Sequence, residues 1–355
     1  MTTRITSKLL LLLMACILLG CQTTDSKKST KNALNRQDLL AGQGISSIAE
    51  NLTYDKALTL ARKAETSQEM DKALFYYIHC LEQKPNDAEI LLRIGRIHDL
   101  DGRDDIAAKA YKEALSSDPG LLLAHQHLGI IEMERRQYSK AQEHLQKAIL
   151  LDQKRLRTLG TKRQFGYHTL DDESPVDSYN ASGVIEDMHR NFMLARIYYK
   201  LALTKQQTAI IMANLGYSFY LTGELTAAER YFRDAINLDN DYTKAWSNLG
   251  LVYARKGLYD RALTTLKQVM HEYEAYNDIG YFLMLEGRLE QAEYFFQSAI
   301  DSSPRYFSKA YANLEQVKLK KREKFLQQQG NNAGTIEPQG SADKILPLAE
   351  NNAQR

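Results

Sequence analysis

Leu215-Gly216, followed by Ala228, Phe232 and Ala235, sets a frame that recurs along the chain. Its opening dipeptide returns as Ile94-Gly95, Leu128-Gly129, Leu249-Gly250 and Ile279-Gly280, with Leu60-Ala61 as a degenerate first copy. Twelve residues after each stands an alanine: Ala73, Ala107, Ala141, Ala228, Ala262 and Ala292. Four further on comes a bulky residue, Tyr77, Tyr111, Leu145, Phe232, Leu266 or Phe296. Three beyond that is a small one, Cys80, Ala114, Ala148, Ala235 or Ala299, with Val269 the exception. Steps of four and three keep these positions on one face of a helix. Small residues at two facing sites let paired helices approach closely, and the bulky side chain between them fills the gap. Pro85, Pro119 and Pro304 close three units, because proline breaks the second helix before the next unit begins.

The spacings 61→95, 95→129 and 216→250 are each 34 residues. A helical hairpin of that period resembles the tetratricopeptide repeat, and Trp246 falls on that family's tryptophan position. The resemblance implies an all-α superhelical solenoid of about six repeats in two blocks, residues 54–151 and 209–306. A charged helix over 307–329 is expected to cap the last repeat, since solenoids need a polar terminal cover. Two departures stand out. Gly250 to Gly280 is 30 residues, so the fifth unit loses about one helical turn near Val269. Gly129 to Gly216 is 87 residues. Within that span, residues 152–183 carry neither strand nor helix period and are expected as an irregular insertion, with a basic start (Lys154, Arg155, Arg157) and an acidic end (Asp171, Asp172, Glu173). Residues 184–208, which hold Ala195, Tyr199 and Ala202, are expected as a degenerate linking helix. The tail 330–355 turns to Asn, Gln, Gly and Ala, a composition with too little to bury.

The 355 residues are 44% hydrophobic and 25% charged, with 46 Lys+Arg against 44 Asp+Glu. Arg4 and Lys8 precede an unbroken apolar run over 9–19, and then Gly20-Cys21. This is the pattern of a secretory leader, and the run is too short for the about 20 residues a membrane span needs. Leu18-Leu19-Gly20-Cys21 resembles the bacterial lipobox, which implies cleavage after residue 20, acylation of Cys21 and a polar tether over 21–53. With no aspartate just after the cysteine, the resemblance implies anchoring on the periplasmic side of the outer membrane. Loss of the leader removes two cations and leaves 44 basic and 44 acidic side chains. Such balance gives no basic stripe for nucleic acid.

No catalytic or nucleotide-binding motif occurs: there is no H-E-x-x-H, no G-x-x-x-x-G-K-[ST] and no G-x-S-x-G. His125 and His127 lie two apart, on different helix faces, and do not chelate together. After cleavage and lipidation Cys80 stands alone, at a small packed site where cysteine acts as an apolar filler. The sequence therefore reads as a non-enzyme with no cofactor, no metal, no small-molecule substrate and no nucleic-acid partner.

In the repeat family, the residue after the frame glycine and the one a turn later line the binding groove. Here these pairs are Arg96 and Asp99, Ile130 and Met133, Tyr217 and Tyr220, Leu251 and Ala254, Tyr281 and Met284. Tyr217, Tyr220, Leu251, Tyr281 and Met284 make the C-terminal block apolar and aromatic, suited to an amphipathic segment. The same tyrosines have a second reading, as packing against a neighbouring repeat. Residues 209–316, with Asn214-Leu215-Gly216-Tyr217, Trp246-Ser247-Asn248-Leu249-Gly250-Leu251 and Ala310-Tyr311-Ala312-Asn313-Leu314, resemble the tetratricopeptide lipoproteins of the tight-adherence (Tad/Flp pilus) system, the TadD family. Membership implies a protein partner such as a secretin and a part in pilus assembly. A type IV pilus pilotin, or an adaptor for a periplasmic protease or peptidoglycan enzyme, are the alternatives.

Overall fold

The computed structural model describes residues 52–333. The expected leader over 1–20, Cys21 and most of the expected tether, and residues beyond 333 lie outside the described residues. Fifteen helices are described, and fourteen of them form seven antiparallel pairs. In order these are α1 (Tyr54–Thr66) with α2 (Met70–Gln83), α3 (Ala88–Leu100) with α4 (Asp104–Ser117), and α5 (Leu122–Glu134) with α6 (Tyr138–Thr158). After a short hairpin, β1 (Arg163–Gln164) and β2 (Tyr167–His168), come α7 (Val176–Met188) with α8 (Phe192–Lys205), α9 (Ala209–Leu221) with α10 (Leu225–Leu238), and α11 (Thr243–Arg255) with α12 (Tyr259–Leu266). These belong to one compact unit that ends at Val269; a second, from Met270, holds α13 (Glu272–Leu285), α14 (Leu289–Ser302) and α15 (Ser308–Ala333). No described helix is long and apolar enough to cross a membrane.

The frame residues do what their sizes dictate. Ala61, Ala73, Ala107, Ala141, Ala228, Ala262, Ala292 and Cys80 are all fully buried. Burial also pushes the Cys80 thiol up to about 11, so it serves as an inert filler. Each frame glycine faces the bulky residue sixteen positions on. A Cβ added at Gly95 would lie 2.5 Å from Tyr111, and one at Gly250 2.5 Å from Leu266. Seven residues after the frame position the backbone turns left-handed in every pair: Gln68, Gly102, Arg136, Arg190, Gly223, Gly257 and Gly287. That turn reverses the chain between the two helices, and glycine adopts it without steric penalty. Asp87 and Thr208 cap α3 and α9 by accepting from Ile90 N–H and Ile211 N–H.

The region 152–208 corrects the sequence reading. Residues 152–158 continue α6, and 176–205 fold as a complete helix pair, so the array has seven repeats and its irregular part shrinks to 159–175. Gly183 is the missed frame glycine. A Cβ there would lie 2.5 Å from Tyr199 Cε1, with Ala195 and Ala202 on either side of that ring in sequence and both fully buried. It was hidden because Ser182 precedes it instead of Leu or Ile, and because the insertion sets it 54 residues after Gly129 while Gly216 follows by 33. A Gly183→Ala protein should lose about 1–2 kcal/mol, the overpacking cost less the gain in helix propensity. Gly216→Ala should be near neutral, because its nearest contact is looser at 3.1 Å. Urea unfolding of both variants checks this.

The shortened unit, sixth of the seven pairs, is visible as α12, which has 8 residues where α10 has 14. Without a closing proline, the chain turns at 267–270, and His271 N–H donates to Glu274 Oε2 to start α13. The terminal helix covers its own unit through Ala310, Leu314 and Val317, all buried. It runs to Ala333, four residues past the expected cap.

Candidate functional site

The candidate surface is built from the first helix of each pair, at the positions one and four after the frame residue. The fourth position is set by the second helix of the same repeat. Where the frame-plus-sixteen residue is tyrosine, its hydroxyl donates to an acid: Tyr77 to Glu65, Tyr111 to Asp99 at 3.2 Å and Tyr199 to Asp187 at 3.0 Å. Where that residue is Leu145, Phe232, Leu266 or Phe296, the fourth position is Met133, Tyr220, Ala254 or Met284. A buried phenol needs an acceptor and a leucine or phenylalanine does not, so the two positions match in polarity. The fourth position is therefore largely committed to intra-repeat packing. Asp99 also meets His127 Nδ1 at 3.1 Å.

In the first unit Tyr217 and Tyr220 are 6% and 2% exposed, and their rings stack with centroids 5.9 Å apart. The Arg255 guanidinium sits 5.0 Å from the Tyr220 ring centroid, and its Nη1 donates to the Tyr220 carbonyl at 2.8 Å. These two tyrosines are thus largely covered by the repeat array itself, as the packing reading anticipates. Leu251 is half-buried and keeps an accessible face. In the second unit, described by itself, Met284 is buried and Tyr281 half-buried. The surface that remains in the first unit is the row one past the frame: Arg62 and Arg96 exposed, then Ile130, Val184 and Leu251 half-buried. It is basic at the N-terminal repeats and aliphatic further on, which suits a segment with acidic and apolar portions.

Electrostatics inside the first unit centre on two carboxylate sites. Asp152 is fully buried, accepts from Arg155 Nη2 at 2.7 Å and from the Tyr179 hydroxyl at 2.9 Å, and takes Ser174 Oγ at 3.2 Å. The same guanidinium grips both oxygens of Asp171, at 2.6 and 2.7 Å, and holds that carboxyl down at about 2. Asp187 is 2% exposed, and burial pushes its carboxyl up to about 7 despite hydrogen bonds from Ser218 and Tyr199.

The histidines do not converge. His98 is fully buried and its pKa is pushed down to about 4 by desolvation. His125 and His144 share an Nδ1···Nδ1 hydrogen bond of 2.9 Å beside a cavity of about 370 Å³ lined also by Pro119, Glu143 and Lys147. Among the described residues no three His, Cys, Asp or Glu side chains gather as a metal site.

Tetratricopeptide-repeat sequence profiles match residues 214–270 and 248–307, and a second such profile matches 88–120. No curated protein sequence matches the chain. Among solved structures, a tetratricopeptide protein from Parabacteroides merdae is 14% identical over 74% of this chain and 98% of its own, with a TM-score of 0.48. YrrB, a tetratricopeptide protein with an unusual peptide-binding site, is 18% identical over 58% of this chain and 97% of its own, at 0.40. PilW, a widely conserved type IV pilus biogenesis factor, is 16% identical over 76% of this chain and 99% of its own, also at 0.40. Likeness at this level carries no information about task. The profile matches over 88–120 and 214–307, with the seven helix pairs, show that the chain has an all-α tetratricopeptide-repeat fold.

Proposed function

We propose that the chain is a non-enzymatic periplasmic lipoprotein, held on the outer membrane by lipidated Cys21, that binds protein segments during assembly of a Tad/Flp-type pilus secretion machine, a secretin among them. The observation that carries the binding role is the accessible row one past the frame residue, basic at Arg62 and Arg96 and aliphatic at Ile130, Val184 and Leu251. A scaffold whose fourth-position side chains are consumed by packing recognises its ligand through that first row. The pilus assignment is supported by the sequence resemblance over residues 209–316, and the anchoring by the lipobox-like 18–21.

Leu251→Asp, and separately Tyr281→Ser, should each abolish or sharply weaken partner capture while far-ultraviolet circular dichroism is unchanged. Partially accessible side chains are the proper probes, because truncating Tyr217 would open a void in the array. Pull-down from detergent-solubilised envelope with the lipidated bait tests the assignment. Recovery of a secretin supports it, and recovery of only a protease or a peptidoglycan enzyme retires it. A Cys21→Ser protein should leave the membrane fraction; full retention there would refute the anchor.

A further inference from the structure

The inserted segment between the third and fourth repeats is charge-asymmetric in a way its composition conceals. Residues 152–173 hold four acids and five cations, yet all four acids are engaged by just two cations, Arg155 and Lys205. Asp152, Asp171 and Glu173 all take Arg155, and Asp172 takes Lys205. Lys154, Arg157, Lys162 and Arg163 remain exposed, with no carboxylate partner among the described residues.

The same segment presents apolar side chains to solvent. Residues 157–160 and 162–166 are all exposed, with Leu159 at 61% and Phe165 at 43%. Arg163 pairs with His168 and Gln164 with Tyr167 across the two-residue turn Phe165-Gly166, where both central residues have positive φ, +54° and +90°. Asparagine or glycine suits the first of these positions; a phenylalanine there is sterically strained. The tip is nevertheless held firmly. Gln153 receives His168 N–H at 2.7 Å, Tyr167 packs edge-on against Tyr198, and the Lys200 ammonium lies 5.5 Å from the Phe165 ring centroid. A held base thus carries a strained, exposed aromatic in a segment whose Lys154, Arg157, Lys162 and Arg163 are exposed without carboxylate partners, Arg163 donating to the Gly166 carbonyl.

We infer that this hairpin is a membrane-contact site that seats Phe165 and Leu159 among lipid headgroups while Lys154, Arg157, Lys162 and Arg163 engage anionic phosphates. The tip is an exposed turn, so a protein partner would have to supply the pocket. A bilayer interface yields to apolar side chains and attracts flanking cations at the same time. The inference does not depend on Cys21 or on a pilus role.

Photocrosslinking on the full chain tests it, with Phe165→p-benzoylphenylalanine in vesicles of phosphatidylcholine alone or with phosphatidylglycerol. The expected result is covalent lipid adducts at position 165, about tenfold more abundant on the anionic vesicles. The yield should fall to the neutral-vesicle level in a background of Lys154→Gln, Arg157→Gln, Lys162→Gln and Arg163→Gln. Raising salt should lower the yield of the otherwise unaltered chain in the same way, which keeps the test decisive if the quadruple variant folds poorly. Adducts only to protein, no adducts, or yields indifferent to lipid charge would overturn the proposal.

Discussion

An Arg155→Met protein is expected to lose about 3–5 kcal/mol of stability, the cost of removing one partner from a buried ion pair. The methionine stem replaces much of the packing, but the fully buried Asp152 carboxylate would keep only the Tyr179 and Ser174 hydroxyls. Asp171 would also lose the fork that holds both its oxygens. Because the end of α6 and the segment leading into the fourth repeat meet at this guanidinium, the loss should fall on cooperative unfolding of the first unit. Urea denaturation at neutral pH measures it. The contribution has a defined pH window. Asp171 is held at about 2 in the folded state, below its ordinary value near 4. Its stabilisation is complete above about pH 4 and disappears as pH falls through about 2, so wild type and variant should converge in strong acid. A variant as stable as the wild type at pH 7 would mean that the insertion is not pinned by this network.

Asp187 is expected to produce the opposite dependence. Its folded carboxyl titrates at about 7, pushed up by burial, whereas in the unfolded chain it ionises near 4. Between those values the folded protein holds a proton that the unfolded chain has released. The contribution of this group therefore becomes less favourable as pH rises from about 4 to about 7 and is flat above, a total of ~4 kcal/mol. Asp187→Asn should erase that slope while still offering an oxygen to Tyr199 or Ser218. Thermal unfolding of both proteins between pH 5 and pH 8 reads the difference. Parallel curves would show that Asp187 is ionised throughout.

The repeat frame was readable because packing imposes it on residue identity. An alanine where two helices touch, and a bulky side chain opposite a glycine, leave a periodic trace in the sequence. The same logic, carried one step further, makes the polarity match between the fourth and sixteenth positions legible. Glu65 with Tyr77, Asp99 with Tyr111 and Asp187 with Tyr199 contrast with Met133 and Leu145, or Met284 and Phe296. The candidate site was less legible. Tyr217 and Tyr220 occupy groove positions by number, but whether a side chain there faces a ligand depends on the neighbouring helix, and Arg255 lies thirty-five residues from the Tyr220 carbonyl it covers.

The amino-acid sequence alone determined the fold class, the pairing of helices in six of the seven units and the shortened unit near Val269, because these follow from side-chain size at fixed helical spacing. Only the tertiary structure decided that there are seven repeats, that the acids of the insertion engage Arg155 and Lys205, and which groove residues remain accessible. Each of these rests on contacts between residues far apart along the chain, where an ion pair or a covering ring has no period for the sequence to display.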